Sequence, residues 1–390
     1  MVDRRALLRD VDSLVVKVGT RVLTAPEGGV DEEVVEGLAE DISALMDQGR
    51  RVTLVSSGAI AAGMRRLGLG ARPRAISQLQ AVAAVGQSLL MNAYERAFRR
   101  HGVPVGQVLL TSEDILNNRV RYLNLRATFQ SLFSLGVLPV VNENDSVATE
   151  EIRMGDNDIL AAHVANLVDA DLLVVLTDTD GLYAGDPKKN RNARAIRVVE
   201  RVTPEIEVLA GAPGSPLGSG GMRTKVEAAK IVTASGEMAL IAHGKEHRLK
   251  DILAGEELGT LFLPQADRMS SRKRWIAFNL EMRGKLYIDS GAEDAIIRRG
   301  KSLLPSGVTD VEGEFAMGDM VGIVGPSGEV ARGLANYSAE EVRRIKGRKS
   351  SEIESLLGYR YSDEVVHRDN MVVMFQDQGK STWKSFKNDT

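Results

Sequence analysis

A dense run of acidic residues and asparagines, from Asn142 to Asp158, directly follows the apolar segment 137–141. In open α/β sheets, ligands bind in the crevice beyond the carboxyl ends of the strands. Asparagine side chains both donate and accept hydrogen bonds, whereas carboxylates only accept them. The run therefore predicts a loop that binds a small zwitterion carrying an ammonium group and carboxylates. Composition alone leaves a solvated acidic loop as the alternative.

Two lysines occupy positions that suit phosphate binding. Lys17 ends a short apolar run and is followed by Gly19, so its ammonium group would lie beside exposed backbone N–H groups. Lys225 follows a glycine-rich loop, residues 218–225, whose flexible backbone could wrap phosphates. A lysine at an edge or on the surface is the simpler interpretation of Lys17. The loop is not a Walker A loop, which requires glycine, four residues and then Gly-Lys-Ser/Thr.

Two further segments follow apolar runs and could contact a nucleotide. Residues 56–63 are small and open a helix, and a strand, a Gly/Ser turn and a helix N-terminus together form an anion site. Residues 177–183, Thr-Asp-Thr-Asp-Gly-Leu-Tyr, could hold a ribose or a base. An ordinary serine-capped turn and a plain Asp-Gly turn remain the respective alternatives.

Together these residues fit phosphoryl transfer, which needs positioning and positive charge more than covalent help. Lys17 and Lys225 would supply the charge, and Asp158 could orient both ammonium groups. No histidine or aspartate is obviously presented as a base, so the acceptor should already be ionised at neutral pH. A carboxylate, with a reference pKa of about 4, has that property.

Composition narrows the class of protein that could carry this chemistry. The 390 residues are 43% hydrophobic but only 4% aromatic, which is typical of α/β domains, and two or three domains are expected. The chain has no cysteine, which excludes disulfides and thiolate chemistry. Its net charge of -3 argues against nucleic-acid binding through overall charge. The N-terminus is unlike a signal peptide and no apolar stretch could span a bilayer, so a cytoplasmic protein is expected.

Alternation of apolar runs with segments of helical periodicity predicts a mostly parallel sheet sandwiched by helices. The expected strands are 13–18, 51–55, 105–110, 137–141, 172–176 and 238–242. The expected helices are 34–46, capped by Asp31, and 76–98, 119–135, 159–168 and 224–235. After Pro264 shorter alternating runs with frequent glycines predict a small, strand-rich second domain. The predicted domains are a kinase-type domain over 1–265, a linker over 266–280, the second domain over 281–366 and an extension over 367–390.

The chain resembles the glutamate 5-kinases, a group within the amino acid kinase family, over nearly all of residues 10–370. The resemblance depends on eight motifs in the same order, at residues 16–20, 56–63, 83–87, 142–146, 155–158, 177–178, 220–225 and 367–370. It implies the amino acid kinase fold with a PUA-like C-terminal domain. The implied activity is ATP-dependent phosphorylation of the side-chain carboxylate of L-glutamate to L-glutamyl 5-phosphate, the first step of proline biosynthesis.

The resemblance assigns a role to each matching residue. Lys17 and Lys225 match positions that contact the transferring phosphoryl group, and Asp158 matches the residue that orients them. The substrate would be held by Ser57, Asp145 and Asn157. The ATP site would comprise Lys17, Thr177, Asp178, Ser219, Gly220, Gly221, Met222, Arg223, Thr224 and Lys225. Mg²⁺ is implied as a cofactor held mainly by the ATP phosphates, with no protein metal ligands predicted.

The resemblance also implies feedback inhibition by proline, a homo-oligomer and a functional link to the next enzyme of proline biosynthesis. PUA domains elsewhere bind RNA, and the basic cluster 343–349 could touch phosphates, although a solvated helix end is favoured. Another amino acid kinase, acting on N-acetylglutamate or aspartate, is the nearest alternative function. An RNA-binding protein with an inactive kinase half is the alternative from another class. The chain also departs from the family by carrying Ser219 where threonine is common and by continuing past Asn370.

Overall fold

The computed structural model describes residues 2–116, 119–147, 157–185, 193–211, 221–265, 280, 282–377 and 380–384. They form two compact units, of which the first ends at Pro264 and the second continues from Gln265. The predicted linker, residues 266–280, lies outside the described residues except for residue 280. Each unit has its own cluster of buried apolar side chains.

The described part of the first unit contains ten strands. They are β1 Ser13–Val18, β2 Arg51–Ser56, β3 Val105–Leu110, β4 Leu138–Glu143, β5 Leu172–Thr177, β6 Leu182–Tyr183, β7 Ala195–Ile196, β8 Val198–Val199, β9 Met238–His243 and β10 Thr260–Phe262. Eight of them form one sheet in the order β3-β4-β2-β1-β5-β9-β10-β8, and β6 pairs with β7. The pairs from β3 to β9 are all parallel, whereas β10 is antiparallel to β9. The predicted mostly parallel sheet is confirmed.

Helices connect these strands, as the alternating pattern predicts. They are α1 Arg4–Arg9, α2 Thr20–Leu23, α3 Glu32–Asp47, α4 Ala59–Arg66, α5 Ile76–Arg99, α6 Ser112–Ile115, α7 Arg119–Ser134, α8 Asn157–Val168, α9 Pro204–Leu209, α10 Met222–Ala234 and α11 Leu249–Leu253. The start of α3 shows how the sequence sets a boundary. The Asp31 side chain accepts a hydrogen bond from the backbone N–H of Val34, and two glutamates in the first turn complement the helix dipole.

The central strands of this sheet are buried on both faces because helices cover the two sides. All six residues of β1, including Lys17, are buried, and so are all residues of β4 and β5. Strand β1 pairs with β2 on one side and with β5 on the other, so Lys17 is an interior residue. The edge or surface interpretation of this lysine was therefore wrong. A buried lysine needs a compensating charge close to its ammonium group.

The second unit is the strand-rich domain that the sequence predicts. Its strands are β11 Met282–Ile288, β12 Val308–Gly313, β13 Met320–Gly325, β14 Gly328–Leu334, β15 Met371–Asp377 and β16 Lys380–Lys384, in the order β12-β11-β13-β14-β15-β16. Its helices are α12 Ser290–Ile297, α13 Ala339–Ile345 and α14 Ile353–Leu357, with short 3₁₀ turns at Pro305–Gly307, Ser350–Glu352 and Arg368–Asn370.

Residues 371–377 and 380–384 are part of the second sheet. Strand β15 pairs antiparallel with β14 and then with β16, and Met371, Val372 and Val373 are buried. None of the helices in the described part of the chain combines the length and the apolar character needed to cross a membrane.

Candidate active site

The predicted site residues converge on the carboxyl edge of the first sheet. Strands β1, β2, β4 and β5 are parallel neighbours, so their carboxyl ends meet at that edge. Helix α4 follows β2 after a turn at Gly58, which adopts a φ of 101° that favours glycine. Helices α8 and α10 begin with Asn157 and Met222, which places Asp158 and Lys225 in their first turns.

The centre of the site is a buried carboxylate between two buried ammonium groups. Lys17 Nζ lies 2.6 Å from Asp158 Oδ1, and Lys225 Nζ lies 2.9 Å from Asp158 Oδ2. Asp158 is 0% exposed and each lysine is 5% exposed. The three residues come from β1, α8 and α10, so the contact exists only in the folded unit. The predicted orienting role of Asp158 matches this geometry.

The protonation state of Asp158 follows from its neighbours. Burial alone would raise its pKa, but the charges of Lys17 and Lys225 and their hydrogen bonds outweigh burial and lower the pKa of Asp158 to about 2. Asp158 is thus an anion at neutral pH, and the cluster carries two positive charges against one negative charge. The net positive charge is what a transferring phosphoryl group requires.

Helix α10 supplies a second contact to the same carboxylate. Thr224 Oγ1 lies 2.8 Å from Asp158 Oδ2 and 2.9 Å from the Gly221 carbonyl oxygen. Met222 is half-buried and Arg223 is exposed in the same turn. Of the predicted ATP-binding loop, Ser219 and Gly220 lie outside the described residues.

Ser57 and Asn157, the predicted substrate residues, belong to a row of hydrogen-bonded polar side chains. Asn157 Nδ2, which has two hydrogens to donate, lies within hydrogen-bond distance of three acceptors: the Ser56 carbonyl oxygen at 3.0 Å, Ser57 Oγ at 3.0 Å and Asn142 Oδ1 at 2.9 Å. Asn142 Nδ2 donates in turn to Gln87 Oε1 at 2.8 Å. Asn157 Oδ1 is buried and has no hydrogen-bond partner among the described residues. That atom is an acceptor suited to an ammonium group.

Helix α5 supports the turn that contains Ser57 through a hydrogen bond. The Tyr94 hydroxyl lies 2.8 Å from Ser56 Oγ, and Ser56 Oγ donates to the Ser57 carbonyl oxygen at 3.1 Å. Tyr94 is fully buried, and burial raises the pKa of its hydroxyl well above the ordinary value. The hydroxyl is therefore neutral and acts as a fixed hydrogen-bonding group.

Asp145 lies in the turn that follows β4 and is half-buried. Burial raises its pKa to about 6, against the opposing charge of Arg72. Within the described residues, no hydrogen bond joins Asp145 to Ser57 or Asn157. An ammonium group placed beside Asp145 would favour the ionised carboxylate, which is compatible with the predicted substrate role.

Thr177 and Asp178 end β5 at the same edge of the sheet. Thr177 is buried, and its Oγ1 donates to Asp178 Oδ1 at 3.2 Å. Asp178 is exposed, and its Oδ2 accepts a hydrogen bond from Arg21 Nη1 at 2.7 Å. The structure thus places this predicted ATP-binding pair at the same edge of the sheet as Lys17, one strand away.

Gln87 carried no role in the sequence interpretation, and Asn142 was included only as the first residue of the predicted ligand-binding run. Both lie in motifs that supported the family resemblance. A signal for Gln87 was present, since it is a polar residue between the buried Ala83, Gly86 and Leu90 of α5. Such a position on an apolar helix face indicates an internal hydrogen bond.

Metal binding by protein side chains alone finds no support in the described residues. They contain no group of three or more histidine, aspartate or glutamate side chains that could hold a metal ion. A magnesium ion that keeps most of its ligands from ATP phosphates and water needs no such group.

Comparison with known proteins places this fold and site in a family. The model of the amino acid kinase family matches residues 12–242, and that of the PUA domain matches residues 284–357. A glutamate 5-kinase from Citrifermentans bemidjiense is 50% identical over 373 residues, covering 95% of this chain and all of that protein. Glutamate 5-kinases from Trichlorobacter lovleyi and Caldanaerobacter subterraneus subsp. tengcongensis are each 51% identical. They cover 95% and 93% of this chain and 99% and 97% of their own lengths.

The parallel sheet, the lysine–aspartate–lysine cluster and the family match define a kinase of the amino acid kinase class with a C-terminal PUA domain. Within that class, the similarity over nearly its whole length shows that the chain belongs to the glutamate 5-kinase family.

Proposed function

We propose that this protein transfers the terminal phosphoryl group of ATP to the side-chain carboxylate of L-glutamate, the first step of proline biosynthesis. The observation that carries the proposal is the buried Asp158 held between Lys17 and Lys225 at 2.6 and 2.9 Å. Half of the sequence is identical to that of proteins named glutamate 5-kinase, which supports the choice of substrate.

The transfer requires no proton removal from the acceptor. A carboxylate oxygen of glutamate attacks the terminal phosphorus, and the bond from that phosphorus to the bridging oxygen of ADP breaks. Lys17 and Lys225 stabilise the charge on the equatorial oxygens, while Asp158 keeps both ammonium groups in place. Because the acceptor is already an anion at neutral pH, no general base is needed.

The substrate end of the site offers acceptors for an ammonium group. Asn157 Oδ1 is a buried acceptor without a partner among the described residues, and Asp145 provides a carboxylate in the turn that follows β4. Ser57 Oγ accepts from Asn157 and keeps its own hydrogen for a substrate oxygen. These groups favour an amino acid with a free amine over an N-acetylated one, whose amide nitrogen is neutral.

The nucleotide would occupy the edge formed by Thr177, Asp178 and the first turn of α10. The N–H groups at the start of α10, together with Lys225, suit phosphate oxygens. Mg²⁺ would be held by the ATP phosphates and water, and the residue roles above do not depend on its position.

Kinetics of four variants test these assignments. We expect Lys17→Ala and Lys225→Ala to lower kcat far more than they raise the KM for glutamate, because the lysines act on the transferring group. Asp145→Ala should chiefly raise the KM for glutamate. The exposed Lys250 on α11 provides a matched Lys→Ala control. Equal changes of kcat and KM in all three site variants would contradict the division of roles.

Four finer properties belong to the same proposal: inhibition by proline, a homo-oligomeric state, a cytoplasmic location and use of the product by the next enzyme. Proline would inhibit by occupying the amino-acid end of the site, since it shares the ammonium and carboxylate groups of glutamate. The active protein would be a cytoplasmic homo-oligomer. Its product, an unstable acyl phosphate, would be used by the next enzyme of proline biosynthesis. Activity measured over a range of proline concentrations, together with the mass of the protein in solution, tests the first two.

A further inference from the structure

Gln87 lies on the buried face of α5, and the function proposed above assigns it no task. Its Oε1 accepts a hydrogen bond from Asn142 Nδ2 at 2.8 Å, and Asn142 itself is 2% exposed. Gln87 Nε2 is buried and has no acceptor among the residues that the structure describes.

Backbone groups identify which end of the Asn142 and Asn157 amides is nitrogen. Asn142 Oδ1 receives the backbone N–H of Glu143 at 2.9 Å as well as Asn157 Nδ2, so the atom at that end of Asn142 must be oxygen. The nitrogen end of Asn142 therefore faces Gln87. The Ser56 carbonyl oxygen likewise requires nitrogen at the facing end of Asn157. Each amide can then make this pattern in one orientation only.

Gln87 Oε1 accepts from the nitrogen end of Asn142 and, together with the Glu143 N–H at the oxygen end, holds Asn142 in this orientation. If Gln87 Oε1 were lost, the buried Nδ2 of Asn142 would have no hydrogen-bond partner. An unpaired buried donor costs more free energy than one that is exposed to solvent. Rotation of Asn142 by half a turn would bring its NH₂ group against Asn157 Nδ2 and the Glu143 N–H. Without Gln87, Asn142 Oδ1 would no longer be held where it accepts a hydrogen bond from Asn157.

Stability alone does not account for the glutamine. It makes one hydrogen bond through Oε1 but leaves Nε2 buried without a partner in the described part of the chain. These two contributions to the free energy of unfolding have opposite signs and similar size. A role in placing other side chains accounts for the residue better.

We propose that Gln87 is a positioning residue for the acceptor site: through Asn142 it fixes Asn157 so that Asn157 Oδ1 faces the substrate ammonium group. This inference rests on the proposed function, because it takes glutamate as the acceptor. Gln87 acts on the amino-acid end of the site and leaves the lysines and Asp158 unaffected.

The test replaces Gln87 by methionine, which has a similar length but no acceptor oxygen. We expect Gln87→Met to raise the KM for glutamate about tenfold, while kcat, the KM for ATP and the thermal midpoint stay close to those of the unmodified protein. Gln78→Met, at an exposed position of the same helix, is the matched control. An unchanged KM for glutamate, or a general loss of stability with all kinetic constants impaired, would overturn the inference.

A double-mutant cycle separates action through Asn142 from direct contact with substrate. In an Asn142→Ala background, Gln87→Met should have little further effect on glutamate binding, whereas additive effects would overturn the positioning role. Dissociation constants from calorimetry complete the cycle if Asn142→Ala has no turnover. If the unmodified protein does not phosphorylate glutamate, the proposed function fails and the inference fails with it. If it does, and Gln87→Met has no effect, only the inference fails.

Discussion

Asp158 is a fully buried carboxylate that stays ionised because two ammonium groups contact it. Removing one partner of a buried charged group leaves the other charges uncompensated. Lys17 and Lys225 are themselves 5% exposed, so water cannot replace the aspartate easily. The carboxylate therefore fixes the positions of two cations that would otherwise repel each other.

We predict that Asp158→Asn lowers kcat by about 10²–10³, the range found when a charge-stabilising group is lost. The amide keeps the shape of the side chain but cannot anchor both ammonium groups. Steady-state kinetics at saturating ATP and glutamate measure the effect. Asp47→Asn, at the exposed end of α3, is the control. A kcat close to that of the control would show that the lysines need no anchor.

Asp145 gives the site a predicted pH dependence. Its pKa is raised to about 6, so the carboxyl group becomes protonated as the pH falls through that value and loses its attraction for an ammonium group. We predict that the KM for glutamate rises as the pH falls through about 6. In Asp145→Asn the KM should be high and flat over the same range. A parallel rise in that variant would assign the effect to another group.

At the scale of elements, the site depends on the close packing of α4 against α5. A Cβ atom added at Gly86 would lie 1.7 Å from the Ala59 carbonyl oxygen, and one at Gly63 would lie 2.0 Å from the Val82 carbonyl oxygen. Both distances are far below any van der Waals contact and involve backbone atoms. The two glycines thus allow α5 to pack closely enough for Gln87 and Tyr94 to reach the proposed substrate site.

We predict that Gly86→Ala lowers the free energy of unfolding by about 1–3 kcal/mol, because the two helices must separate. It should also raise the KM for glutamate through displacement of Gln87. Urea unfolding and kinetics measure the two effects. Gly70→Ala is a suitable control, since a Cβ there meets nothing within 4 Å and its φ is not left-handed. Equal stability of the two variants would mean that the helices adapt freely.

The six strands and five helices predicted for the first unit end within two residues of their observed bounds, because buried parallel strands form short runs of Val and Leu. The short strands β6, β7, β8 and β10 were not predicted. Lys17, Lys225 and Asp158 could be grouped because each lies at the end of a strand or the start of a helix. The bond from Gln87 to Asn142 joins residues 55 positions apart. Local periodicity contains no information about such a pairing, which depends on how α5 packs over β4.

At the scale of the whole molecule, the described residues proposed for catalysis and substrate binding all lie in the first unit. The second unit has its own core, in which Tyr337, Ile323 and Val365 are buried. Two residues of its basic cluster form ion pairs within the unit: Arg343 pairs with Glu314 and Lys346 pairs with Asp310. These ion pairs favour the interpretation of the cluster as a solvated helix end over an RNA-binding surface.

We predict that a chain ending at residue 265 retains most of its kcat with glutamate and ATP, because no described site residue is removed. Kinetics and circular dichroism of the shortened and complete chains give the comparison. A shortened chain that is folded but inactive would show that the second unit contributes to the reaction.

The most direct test of the central claim is formation of an acyl phosphate by the complete protein, trapped as the hydroxamate. The assay contains ATP, Mg²⁺ and, in separate reactions, L-glutamate, N-acetylglutamate or aspartate. We predict hydroxamate formation with glutamate, little with the other two acceptors, and almost none with the Asp158→Asn variant. Product with N-acetylglutamate or aspartate in place of glutamate, or no product from a folded protein, would contradict the proposed function.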